Sequence, residues 1–276
     1  MSLSQNDWLK TLNPSIVENL GCVRHVLFDF DGTLSVLRQG WEPVMEAVML
    51  DALCPGKTPP QELIASVRDY IDAPTGQLTI LQMQWLAEKV RSRNLHSQPL
   101  SAGAYKKIYL QALMVSVSKR LEALENGEAS PADFLIHGSL EFVRELAEKG
   151  VTLYVASGSD HLDVVREANA LGMAGFFQGG IYGALDESES NGKERVIQRI
   201  LEDHHLMGNE LLVVGDGPVE IIEGRQRGAI TLGIASDEVV HSGWNEHKIE
   251  RLTRARADLL IADFTHSSEL VNRLVR

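Results

Sequence analysis

The chain has 276 residues, 44% apolar and 23% charged, a composition that supports a sizeable core and excludes a disordered or fibrous protein. Asp and Glu number 38 against 26 Lys and Arg, a formal net charge of −12, which argues against partners such as nucleic acid or anionic lipid that reward a basic face. Two cysteines, Cys22 and Cys54, cannot build a disulfide framework. No apolar run nears the roughly 20 residues that span a bilayer, and the opening MSLSQNDWLK lacks the basic and apolar regions of a signal peptide, so a cytoplasmic location is expected.

Residues 7–20 are expected to form a short amphipathic helix broken at Asn13-Pro14. The apolar run 23–28 then reads as a buried strand emptying into Asp29-Phe30-Asp31-Gly32-Thr33. From Ser35 to about 135 the pattern is helical, with apolar residues three or four apart over 41–53, 60–71, 77–93 and 102–124, and turns marked by Pro55, Pro59, Pro60, Pro74 and Gly76. Strand-like runs return at 151–156 before Ser157-Gly158-Ser159-Asp160, at 211–214 before Gly215-Asp216-Gly217-Pro218, and at 229–234. Helical patterns at 138–149, 160–171, 192–206 and 218–227 supply the crossovers, and 180–182 and 259–261 read as edge strands. Nearly all-apolar strands alternating with amphipathic helices predict an α/β fold, a doubly wound parallel sheet. The expected domains are a core of 1–35 and 136–276 and a smaller all-helical insert of 36–135.

Ligands of such sheets bind beyond the carboxyl ends of the strands, where Asp29, Asp31, Ser157 and Asp216 all fall. A D-x-D pair alone is often only a turn or a helix cap. Several acids at one sheet edge repel one another unless a cation intervenes, so the joint pattern implies a divalent metal.

The sequence resembles the haloacid dehalogenase-like superfamily, with its first motif at Leu27–Thr33, the serine of the second at Ser157, the lysine of the third at Lys193 and the acidic fourth at Gly215–Glu220. The helical insert falls where the family carries its C1 cap. The resemblance implies a Rossmann-like core and an Mg²⁺-dependent phosphatase acting on a small phosphorylated metabolite. Asp29 would be the nucleophile, Asp31 the general acid and base, and Lys193 the cation orienting Asp29. Gly32 would permit the sharp turn, and Ser157 with the amides around Gly158, at the start of the next helix, would bind the phosphoryl group. The Mg²⁺ ligands would be Asp29, the carbonyl of Asp31 and Asp216, with Glu220 standing where the family commonly has Asp and serving at most from the outer shell.

Arg38, Lys106 and Lys107 read as solvated cations, His204-His205 as helix surface, and Trp41 as core. A phosphosugar mutase shares the motifs and the cap and stays open as a reading. A dehalogenase, which has no need of Asp31 as an acid, and a non-catalytic binding protein stay open behind it.

Overall fold

The computed structural model describes residues 7–73, 75–93, 100–185 and 192–276; the turn marker Pro74 lies outside them. In place of the helix expected over 7–20, the chain begins with strand β1 (Leu9–Thr11) and a 3-10 turn over Pro14–Asn19, capped by Asn13. Pairing with a distant partner overrides the weak local pattern, because β1 runs antiparallel to Leu259–Ile261. Strand β2 (His25–Phe28) follows, and four helices then intervene: α1 (Trp41–Leu53), α2 (Gln61–Asp72), α3 (Thr79–Ser92) and α4 (Ala102–Glu125). The chain returns through α5 (Ser139–Glu148), β3 (Thr152–Asp160), α6 (His161–Ala170), β4 (Gly180–Ala184), α7 (Lys193–Asp203), β5 (Leu211–Gly215), α8 (Pro218–Gln226) and β6 (Ile230–Ile234). A hairpin of β7 (Ser236–Asp237) and β8 (Ser242–Trp244), α9 (Glu246–Arg254), β9 (Leu259–Ile261) and α10 (Ser267–Leu274) complete it.

The main sheet has the order β1-β9-β6-β5-β2-β3-β4, parallel at every pairing except that of β1 with β9. Strand β4 lies at one edge as expected, whereas β9 is interior because β1 covers it. From β2 the chain winds outward through β3 to β4, then crosses back to β5 and winds the other way, so the direction switches between β2 and β5. That is the crevice where doubly wound sheets bind ligands.

Both faces are covered, which is why the strands are apolar without alternation. Val26 and Phe28 of β2 join Leu153, Val155, Leu212 and Val214 in the larger core, while Leu27 turns to the opposite layer with Val213, Val196 and Ile197 under α7. The larger core runs on into the insert through Met45, Met49, Leu113 and Val117. Arg120 of α4 donates to the carbonyls of Leu37 (2.6 Å) and Gln39 (3.0 Å) and so braces the outgoing connection.

At the other end of the sheet, Asp258 is almost wholly buried and accepts from the Thr231 amide and hydroxyl (both 2.9 Å) and from Asn13 (2.7 Å), with Arg225 alongside. Removing it would strand two buried donors of β6 together with Asn13. Asp258→Ala is therefore expected to lower stability by about 2–4 kcal/mol, the order set by leaving buried polar groups unpaired; urea unfolding of the purified variant measures this.

Candidate functional site

The parallel register brings the functional residues level. Phe28 pairs with both Val155 and Val214, so two residues onward Phe30, Ser157 and Asp216 leave adjoining strands at one height, with Asp29 and Asp31 on either side. Asp29 is buried, and its Oδ1 lies 2.7 Å from Lys193 Nζ. Lys193 is the first residue of α7; the acidic stretch before it, 187–191, lies outside the described residues. A cation at a helix N-terminus opposes the helix dipole, and two carboxylates offset this, Asp29 and, at 2.9 Å, Glu220. Burial alone would lower the lysine; those two carboxylates raise it instead. Burial likewise raises the Asp29 carboxyl, against the pull of Lys193 and reinforced by Glu220 and Asp216.

Glu220 is doubly engaged. Its Oε1 accepts from the Gly217 amide at 2.7 Å, closing the N-terminal turn of α8, and its Oε2 holds Lys193. Asp216 meets a second set of cations, Lys248 Nζ at 2.8 Å and Arg251 Nη2 at 3.4 Å from the carboxylate and 2.9 Å from its own carbonyl. Burial would raise Asp216, but those two charges pull it below the ordinary value. Thr33 Oγ1 lies 3.3 Å from both Asp29 and Asp216 and ties the carboxylates together. Gly32 has φ +74, and a Cβ there would come within 2.6 Å of Asp216 Oδ2; only glycine lets this turn pass the carboxylate.

Lys248 and Arg251 had no counterpart in the sequence reading. They sit three residues apart on one face of α9, whose sequence EHKIERLTR holds only two apolar residues, too few for hydrophobic periodicity to reveal the helix. Cations at i and i+3 were the signal available.

Asp31 accepts from Ser157 Oγ (3.1 Å) and Ser159 Oγ (2.9 Å) through Oδ2, while its buried Oδ1 has no hydrogen-bond partner. Ser157 thus meets the acid directly, and its Oγ also accepts from the Ser159 amide. Gly158 does not open a helix: β3 continues to Asp160 and α6 begins at His161. Its carbonyl instead faces Thr79 Oγ1 of the insert at 3.4 Å.

Arg38, expected in solvent, is 4% exposed. It forks onto Glu167 of α6 (Nη2 at 2.6 Å, Nε at 3.0 Å), reaches Asp163 at 3.3 Å and lies 3.7 Å from Asp31 Oδ1. Lys106 is also paired, with Asp160, while Lys107 is exposed. His204 lies beyond the end of α7, where its ring and that of His25 both meet the Tyr154 hydroxyl, at 2.9 and 3.0 Å. Trp41 lines the site's cavity rather than being sealed in the core.

That cavity, of about 620 Å³ with its mouth, lies between the strand ends and the insert. The turn Thr75-Gly76-Gln77 descends into it. A Cβ on Gly76, which has φ +92, would fall 3.0 Å from Lys193 Nζ, so the turn touches the Lys193–Glu220 pair itself. Asp29, Asp216 and Glu220 offer carboxylate oxygens within 4.8 Å of one another. Hard oxygen donors, buried and converging, suit a small divalent cation.

A doubly wound sheet with two aspartates after its first parallel strand, a helical insert between that strand and the next, and a lysine held against the first aspartate defines a class of hydrolase. The sequence profile of haloacid dehalogenase-like hydrolases matches residues 23–228, and the chain belongs to that family. Among curated proteins none matches significantly. Solved structures resemble it in fold. A predicted phosphatase from Clostridium acetobutylicum is 15% identical with a TM-score of 0.59, over 91% of this chain and 99% of that one. A predicted phosphoglycolate phosphatase from Haemophilus somnus is 15% identical with a TM-score of 0.60, covering 91% and 98%. β-Phosphoglucomutase from Clostridium difficile is 11% identical, again at 0.60, covering 91% and 97%.

Burial pushes the Glu167 carboxyl up to about 7 despite Arg38. Between the ordinary carboxylate range and that value the folded chain holds a proton that the unfolded chain has lost, so this group's contribution to stability falls as pH rises through the interval. Glu167→Gln lacks the titration. The variant is expected to gain in stability relative to the parent between about pH 5 and pH 7.5, which unfolding curves at both pH values will show; a difference that does not change with pH would mean that Arg38 keeps Glu167 charged throughout.

Proposed function

We propose that the chain is a phosphatase that hydrolyses a small phosphomonoester through an aspartyl-phosphate on Asp29. The observation that carries this reading is the placement of Asp29 against Lys193 (2.7 Å), with a second carboxylate, Asp31, at the wall of the same cavity. An Asp29 oxygen attacks phosphorus as the bond to the ester oxygen breaks, and Asp31 gives its proton to the departing alkoxide. Water then attacks the phosphoryl group, Asp31 takes the proton from it, and Asp29 returns as carboxylate with phosphate released. Lys193 holds the attacking oxygen in place and offsets charge gathering on the phosphoryl group, and Ser157 and Ser159 fix the rotamer of Asp31.

Mg²⁺ would be held by Asp29, Asp216 and the Asp31 carbonyl, neutralising charge that would otherwise keep the substrate away. Glu220, spent on Lys193 and the Gly217 amide, serves from outside. Residues 36–135 act as the cap over the site, on a core of 1–35 and 136–276. The two unpaired cysteines fit a reducing cytoplasm, and no described helix is long and apolar enough to cross a membrane.

Asp29→Asn is expected to abolish phosphate release, since an amide cannot attack. Asp31→Asn should slow alkyl phosphates by about 10²–10⁴-fold and p-nitrophenyl phosphate far less, because that leaving group needs no proton. Equal losses on both substrates would remove Asp31 from the acid role. Release of inorganic phosphate, rather than transfer to a second sugar hydroxyl, separates hydrolysis from mutase chemistry.

In an Mg²⁺ titration, Glu220→Ala should lose about 10–100-fold in apparent metal affinity, the range for a partner outside the ligand sphere, and recover with excess ion. Asp216→Ala should not recover. The opposite order would make Glu220 the ligand.

A further inference from the structure

Five carboxylates line the cavity among the described residues, Asp29, Asp31, Glu42, Asp216 and Glu238, against one guanidinium, Arg38. Four of the acids are engaged on the core side. Asp29 faces Lys193, Asp216 and Glu238 face Lys248 (2.8 and 2.7 Å), and Asp31 faces the two serines and Arg38. Arg38 is itself paired with Glu167, Asp163 and Asp31 on the core side of the cavity. On the insert side the balance is different. Glu42, at the mouth, makes no hydrogen bond or ion pair with any described residue, and desolvation and the charge of Glu238 raise its carboxyl against the pull of Arg251 and Lys248.

Two further side chains in this wall have no hydrogen-bond partner among the described residues. Gln82 and Tyr109 are each 4% exposed, line the cavity, and make no hydrogen bond within the described residues. Neither is among the sealed polar atoms that lack a partner, so the amide and the phenol, open toward one cavity, are placed to meet a polar ligand. Trp41 lines the same cavity, and the Tyr109 hydroxyl lies within electrostatic reach of Arg38, Asp31 and Glu42. On the insert side an open carboxylate, two aromatic rings and an amide oxygen suit an ammonium group.

On the reading of the chain as a phosphatase, we propose that its substrate is the phosphate ester of a small amino alcohol, carrying a positive charge and no second anionic group at the end that faces Glu42, Gln82 and Tyr109. The aromatic rings would line the place of the cation while Glu42 supplies the counter-charge, whereas a carboxylate there would meet Glu42 and find only cations already paired with acids of the core.

Three two-carbon esters of nearly equal size test this with the Mg²⁺-loaded full chain: ethanolamine phosphate, ethyl phosphate and phosphoglycolate, with glycerol 3-phosphate as a neutral hydroxyl-bearing control. By phosphate release, kcat/KM for ethanolamine phosphate should exceed that for ethyl phosphate by about tenfold, the scale of one cation–aromatic contact plus a partly exposed ion pair, and phosphoglycolate should fall below both. Glu42→Gln should shrink the ethanolamine-to-ethyl ratio toward one, and Glu42→Lys should lift phosphoglycolate above ethanolamine phosphate. Phosphoglycolate or glycerol 3-phosphate as the better substrate of the parent chain, or a ratio unmoved by Glu42→Gln, would overturn the amino-alcohol assignment and leave the phosphatase reading standing. Phosphate release from none of the esters would overturn both.

Discussion

Three carboxylates buried within 4.8 Å of one another are the constraint on which the rest of the site is built. Negative charges so placed repel strongly where water is scarce, and the fold meets them with cations drawn from distant parts of the chain. Lys193 comes from the start of α7, and Lys248 and Arg251 come from α9, between β6 and β9 of the sheet. The clustered acids therefore tie together elements that already meet in separate apolar clusters, α7 against β2 and β5, and α9 against α8 and β9. Removing one member changes the surroundings of all the others, as expected of a buried polar network.

The insert answers to the same charges. Its second helix ends at Asp72, and the turn that follows reaches the Lys193–Glu220 pair, so the far wall of the cavity is set by the electrostatics of the near one. The connection leaves the core through Arg38, whose guanidinium is fixed by Glu167 of α6, and through carbonyls gripped by Arg120. The outgoing connection and α6 are thereby joined by hydrogen bonds, and Asp31 by an ion pair, rather than by chain connectivity alone.

What could be read from the sequence was what depends on local pattern. The four insert helices, the central strands and the acids at their ends follow from apolar spacing and from a compact motif, and α1 spans Trp41–Leu53 just as its periodicity indicates. What escaped reading depends on partners far along the chain. Strand β1 is three residues long and exists because β9 pairs with it. Arg38 is indistinguishable from a surface arginine until Glu167, 129 residues away, is brought beside it. Helix α9 is too polar to advertise itself, although it supplies two of the three cations. A polar helix whose charged face is buried has no apolar stripe to reveal it.

Arg251 touches two bodies at once. One arm of its guanidinium holds the carbonyl and carboxylate of Asp216, and the other reaches Asp72 (3.1 Å) and Thr75 (3.4 Å) at the end of α2. His247, one turn earlier on the same helix, meets Asp72 as well, at 2.9 Å. Raising the helical layer away from the strand ends would break these contacts together and leave the guanidinium to Asp216 alone. The position of that layer and the electrostatic potential at Asp216 are consequently a single variable, and whatever enters the crevice and changes the charge there also changes the force that keeps the crevice shut.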